Sequence, residues 1–121
     1  MPHTNKAILV VEDNAVLRMD AVGMAEDEGF TVFEAENADH AIAILEAHPD
    51  IRLVFTDIEM PGSMDGLKLA EFVRHRWPPV QIIVASGKVL REQARLPEGG
   101  LFFAKPYGPA KVLNAMRRLL A

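Results

Sequence analysis

Five short apolar runs, separated by segments whose apolar residues recur with helical period, constrain this chain more than any other feature. Four of the runs are unbroken and rich in β-branched and aromatic residues: "AILVV" (Ala7–Val11), "RLVF" (52–55), "VQIIVA" (80–85) and "LFFA" (Leu101–Ala104). The other, "FTVFEA" (30–35), alternates. Unbroken runs belong to strands covered on both faces, as in parallel sheets, and alternation to a strand nearer an edge. Helical period occupies 15–28, Ala38–Ala47 with Ala38, Ala41, Ile42 and Leu45 inward, and 66–75 with Leu69, Phe72 and Val73 inward. A last segment sets Val112, Leu113, Met116, Leu119 and Leu120 on one stripe. After Ser86, "GKVLREQARLPEGG" leaves room only for a short helix before Pro97 and the Gly99-Gly100 pair end it. Five strands alternating with five helices predict an α/β chain with a doubly wound parallel sheet and right-handed crossovers.

Composition limits what such a sheet can be for. At 121 residues, half of them apolar and a quarter charged, the chain fits one domain with a real core. The absence of cysteine excludes a disulfide framework, a thiolate metal site and a thiol nucleophile, and suits a reducing cytosol. No leader pattern and no run of eighteen apolar residues is present, so a soluble, cytoplasmic chain is expected, without a membrane partner. A formal charge of -4 argues against general affinity for nucleic acid, which needs clustered cations. Proteins and small molecules remain as partners.

Doubly wound sheets hold ligands at the carboxyl ends of their strands. Glu12 and Asp13 end the first strand, Asp57 the third, Ser86 the fourth and Lys105 the fifth. Singly, each has an ordinary explanation: Asp13-Asn14 as a helix cap, Asp57 as a turn former, Ser86 as a cap beside Gly87, Lys105 as a surface cation. Together they are harder to explain so. Three carboxylates at one rim raise one another's pKa unless a cation joins them. With no histidine or cysteine nearby in sequence, the oxygen donors select a hard ion, Mg²⁺ or Mn²⁺. Ser86 and Lys105 supply the hydroxyl and the ammonium that a phosphoryl oxygen needs.

The motifs "VVEDN", "TDIEMPGSMDG", "VASGK" and "FFAKPY", in this order over essentially the whole chain, resemble the receiver domain of two-component response regulators. The resemblance implies a flavodoxin-like fold of strand order 2-1-3-4-5, a single receiver domain over 1–121, and no output domain in this chain. It implies that Asp57 accepts a phosphoryl group from a histidine kinase or histidine phosphotransfer protein, in a Mg-dependent reaction. Asp13, Asp57 and the backbone carbonyl of Glu59 would hold the metal, with Glu12 acting through water. Ser86 would hydrogen-bond the phosphoryl group, Lys105 would pair with it, and Lys105-Pro106 would be cis. Ser86 and Phe102 would form a switch, while Phe55 and Phe103 are expected to be core. Glu59 and Lys88 would meet over the site and slow dephosphorylation. Such a domain promotes its own modification but is not an enzyme, and it signals to an unknown downstream protein as a monomer or weak dimer. The motif style resembles small alphaproteobacterial receivers, or receivers cut from hybrid histidine kinases.

Two departures from the receiver pattern stand out. The turn "MPGSMDG" is one residue longer than usual, and the segment after Ser86 is short, which predicts an unusual partner surface. Lys88, Arg91, Arg95, Lys111, Arg117 and Arg118 would form a solvated basic surface there. Three alternatives compete with a phosphorylated receiver. A haloacid-dehalogenase-like phosphatase also uses an aspartate nucleophile and Mg²⁺, but "VVEDN" lacks its D-x-D pair and the chain is short for a cap. A flavin or nucleotide binder lacks a glycine-rich loop after the first strand. A receiver-like scaffold that is never phosphorylated has no use for the complete acidic set.

Overall fold

The apolar runs become strands β1 (Ala7–Val11), β2 (Thr31–Ala35), β3 (Ile51–Asp57), β4 (Gln81–Ser86) and β5 (Leu101–Ala104) of one parallel sheet, ordered β2-β1-β3-β4-β5. Helices α1 (Ala15–Asp27), α2 (Ala38–Ala47), α3 (Gly66–Arg76) and α4 (Pro109–Leu119) cover both faces. The computed structural model describes residues 6–89 and 93–121. Four helices therefore stand among the described residues where five were expected. The short helix expected before Pro97, like Arg91, falls on or across 90–92, outside them.

Alternation along each strand divides the core in two. Ala7, Leu9 and Val11 of β1 join Val54 of β3, Val84 of β4 and the inner faces of α2 and α3. Ile8 and Val10 join Leu53, Phe55, Ile83 and the inner faces of α1 and α4. Because successive side chains point to opposite faces, a strand covered on both must be apolar throughout, and all of β1 is buried.

The edges read differently. β2 is half-exposed, as its alternation predicts. The reading of "LFFA" as a strand covered on both faces is corrected: among the described residues β5 pairs only with β4, and Leu101, Phe102 and Phe103 are half-buried while Ala104 is exposed. Phe30 is not in β2 either; Gly29 takes φ 100°, ending the chain's run through α1, and Phe30 returns its N–H to Ala25 O at 3.2 Å. In α3, Leu69, Ala70 and Val73 fill the inward face, while Phe72 packs beside the Trp77 ring with centroids 6.0 Å apart.

Caps fix where the helices start. Asn14, Asn37 and Asp65 each accept a backbone N–H from three residues on, at 3.0, 2.8 and 2.9 Å. Asn14→Ala is expected to cost about 1 kcal/mol, read as a lower urea midpoint with an unchanged slope.

Candidate phosphoacceptor site

The carboxyl ends of β1, β3, β4 and β5 lie side by side, and each carries one part of the site. β1 runs out at Val11, and Glu12 continues its pairing with Ala35 O at 3.0 Å. Since Asn14 caps α1, Asp13 is not the cap and remains exposed. Glu12 and Asp57 are each 7% exposed. One oxygen from each of Glu12, Asp13 and Asp57 falls within 4.8 Å of the others.

Lys105 answers part of this charge. Its Nζ lies 3.0 Å from Glu12 Oε1 and 3.2 Å from Asp57 Oδ2. Glu12 Oε2 accepts the Asn14 N–H at 3.1 Å, and Arg18 donates to the Glu12 carbonyl at 2.9 Å. Asp57 Oδ1 is buried and accepts no hydrogen bond among the described residues. Burial, opposed first by the charge and hydrogen bond of Lys105 and also by the Glu59 N–H, and aided by the Glu59 charge, raises the Asp57 pKa above the usual aspartate value. Burial likewise raises that of Glu12 against the Asn14 N–H and Lys105. For Lys105, burial works against the charge, but the hydrogen bonds and attraction of Glu12 and Asp57 outweigh it and raise its pKa. Three carboxylates and one ammonium leave a formal excess of two negative charges. A hard divalent cation fits this set: all donors are oxygen, and one buried oxygen lacks a partner.

On β4, Ser86 is buried, and its Oγ donates to Glu59 Oε2 at 2.5 Å. The same Oγ accepts the N–H groups of Lys88 at 3.1 Å and Val89 at 2.8 Å. Gly87 N donates to Glu59 Oε1 at 3.2 Å. The Glu59 carboxylate thus meets Ser86 and Gly87, and among the described residues no ion pair joins it to Lys88. Phe102 sits opposite Val84, two residues before Ser86 on the same face, and is half-buried against the α2–α3 side. Phe55 and Phe103 pack on the other side. The Lys105-Pro106 bond is cis.

Sequence reading missed two contributors. Tyr107 packs edge-on against Phe55 with centroids 5.5 Å apart, and the two help line a cleft of about 480 Å³ beside Asp57 and Lys105. Sequence pattern gives Gly66 no role beyond closing the turn and opening a helix. An alanine Cβ there would lie 2.0 Å from the Asp57 backbone oxygen, so the first turn of α3 is packed directly on the Asp57 main chain. The Asp-Gly pair was the available signal. In the turn before α3 Gly62 takes φ 107°, then Asp65 caps the helix and Gly66 N donates to Ile58 O at 2.9 Å.

Residues 8–117 match the response regulator receiver domain. NtrX of Azorhizobium caulinodans, a nitrogen assimilation regulatory protein, is 31% identical over 117 residues, covering 93% of this chain and 26% of that protein. The transcriptional regulatory protein ResD of Bacillus subtilis is 34% identical over 124 residues, covering 99% of this chain and 50% of that protein. The chain therefore spans a quarter to a half of the length of these curated relatives. The crystal structure of a response regulator receiver protein from Sinorhizobium medicae superposes with a TM-score of 0.85 at 29% identity, covering 94% of this chain and 93% of that one. No helix among the described residues is long and apolar enough to cross a membrane. With the domain match running from within β1 into the last turn of α4, this chain belongs to the receiver domain family of two-component response regulators.

Proposed function

We propose that Asp57 is the phosphoacceptor of this receiver, taking its phosphoryl group from a phosphohistidine on a kinase or phosphotransfer protein. The observation that carries this is the unpartnered buried Asp57 Oδ1, among three carboxylates and beside Lys105. In the reaction an Asp57 oxygen forms a bond to phosphorus, the P–N bond breaks, and its electron pair stays on the imidazole nitrogen. Lys105 pairs with a phosphoryl oxygen, and its raised pKa keeps it charged at neutral pH. Asp13, Asp57 and the Glu59 carbonyl would hold Mg²⁺, with Glu12 acting through water; the ion supplies charge neutralisation at the phosphoryl oxygens. Ser86 then hydrogen-bonds the phosphoryl group, and Phe102, on the same face, repacks with it as a purely apolar switch. Water later hydrolyses the acyl phosphate and returns Asp57.

Incubation with acetyl phosphate tests this directly, with phosphate-affinity electrophoresis as readout. A retarded band should form with Mg²⁺ and vanish with EDTA. No band under either condition would return the chain to the unphosphorylated scaffold, and steady turnover of a phosphate monoester would favour a phosphatase.

The donor protein needs a surface beside the site. Val16, Leu17 and Met19, on the first turns of α1, are 67%, 45% and 69% exposed. Large side chains left in water next to the acidic rim fit a helical, partly apolar phosphodonor. Met19→Glu should lower the rate from a phosphohistidine donor, relative to the rate from acetyl phosphate, about tenfold. An unchanged ratio removes α1 from the docking face.

A further inference from the structure

We infer that the Glu59 carboxylate is a resident competitor for the phosphoryl-oxygen position: it occupies Ser86 and Gly87 in the unmodified protein and must leave before they serve Asp57. The inference rests on Asp57 being the phosphoacceptor. A hydroxyl has one proton to donate and two lone pairs to accept with. Ser86 uses all three, donating to Glu59 Oε2 and accepting from the N–H groups of Lys88 and Val89. It cannot hydrogen-bond a phosphoryl oxygen while it keeps Glu59. The second Glu59 oxygen takes the Gly87 N–H, the adjacent donor. Glu59 therefore presents to this corner what a phosphoryl group would present: two anionic oxygens, one on a hydroxyl and one on a main-chain N–H.

Position and charge agree with this assignment. Glu59 is two residues beyond Asp57 in the turn leaving β3, whose end is tied to β4 by the Ile58 N–H on Ala85 O at 2.9 Å. The same carboxylate raises the Asp57 pKa through its charge, so the two anions sense each other across the site. An incoming phosphoryl group meets Glu59 twice, as a rival for two donors and as a like charge. Glu59 is half-buried, so its side chain has a route to water without disturbing the core. It acts through Ser86 and Gly87 and is a positioning residue, distinct from its own backbone carbonyl, which any substitution leaves in place.

Beryllofluoride with Mg²⁺, an anionic mimic of the phosphoryl group, separates this role from a merely structural one when the Gly87 amide is followed by ¹⁵N NMR. Without the mimic, Glu59→Ala should shift the Gly87 amide and reduce its protection from hydrogen exchange. Glu59→Gln, which keeps a neutral acceptor and guards against a misfolded alanine variant, should lie between the two. The half-saturating beryllofluoride concentration should fall about tenfold in Glu59→Ala, the scale of one hydrogen bond to a charged acceptor. At saturation the Gly87 resonances of wild type and Glu59→Ala should converge, because Glu59 has left in both. An unmoved Gly87 amide in mimic-free Glu59→Ala overturns the contact, and equal or weaker uptake in that variant overturns the competition. If wild type takes up no beryllofluoride, Asp57 is not the acceptor and the competition falls with it; a Gly87 shift in the mimic-free variant would still establish the contact.

Discussion

Gly66→Ala is expected to lose more than about 3 kcal/mol of stability, roughly 10 °C in unfolding midpoint for a domain of this size. The added Cβ would lie 2.0 Å from the Asp57 backbone oxygen, 2.7 Å from its carbonyl carbon and 2.8 Å from Ile58 Cα. Every one of these is a main-chain atom, so no side chain can turn aside. The strand end they belong to is held by Ile58 N on Ala85 O, and Gly66 N itself holds Ile58 O, each at 2.9 Å. Relief requires moving either the first turn of α3 or the last residues of β3. Those last residues carry Asp57, so labelling by acetyl phosphate should fall with stability. Gly62→Ala is the control: its φ of 107° is unfavourable for alanine, but nothing lies within 4 Å of the new atom. Its cost should stay near 1–2 kcal/mol, about that of a left-handed residue. Urea denaturation of the two variants checks the ordering, and a Gly66→Ala protein within about 1 kcal/mol of wild type would refute the close packing.

Asp57→Asn should abolish labelling and, in metal-free buffer, raise stability. The first effect follows from losing the nucleophile, with the amide too weak to attack phosphorus. The second follows from electrostatics. Burial holds the Asp57 pKa above its unfolded value, so the folded protein binds a proton at this residue more tightly than the unfolded chain. The penalty for ionising it is therefore complete above the folded pKa. It is relieved as pH falls through that pKa toward the unfolded value. The advantage of Asp57→Asn over wild type should be largest at neutral pH and shrink on acidification through that window. Added Mg²⁺ should stabilise wild type and leave the variant less affected, because one ligand is gone. Thermal melts at several pH values, with EDTA and with Mg²⁺, read out all of this. A variant less stable than wild type at neutral pH without metal would show that Lys105 already compensates the carboxylate in full.

Much of this was readable from residues alone because covered strands cannot hide their composition. "AILVV" had to be buried on both faces, and it is. "LFFA" has the same appearance, yet its edge position comes from strand order, a long-range property that no local run encodes. Glu12, Asp13, Asp57, Ser86 and Lys105 could be placed on one rim because each ends or follows a strand, and parallel strands bring their carboxyl ends together. Which oxygen faces which donor was not legible. The resemblance to receivers implies that Glu59 meets Lys88, whereas its carboxylate lies on the Ser86 and Gly87 donors, which only the packing of β3 beside β4 brings within reach.

A parallel α/β sheet with an acidic rim and a lysine follows from residue types alone, because apolar period and the side chains at strand ends are local features of the chain. The unpartnered Asp57 oxygen, the prior engagement of Ser86 and the need for Gly66 to lack a side chain arise only in the folded chain. These depend on distances between segments far apart in the chain, which close packing sets to within a few tenths of an ångström.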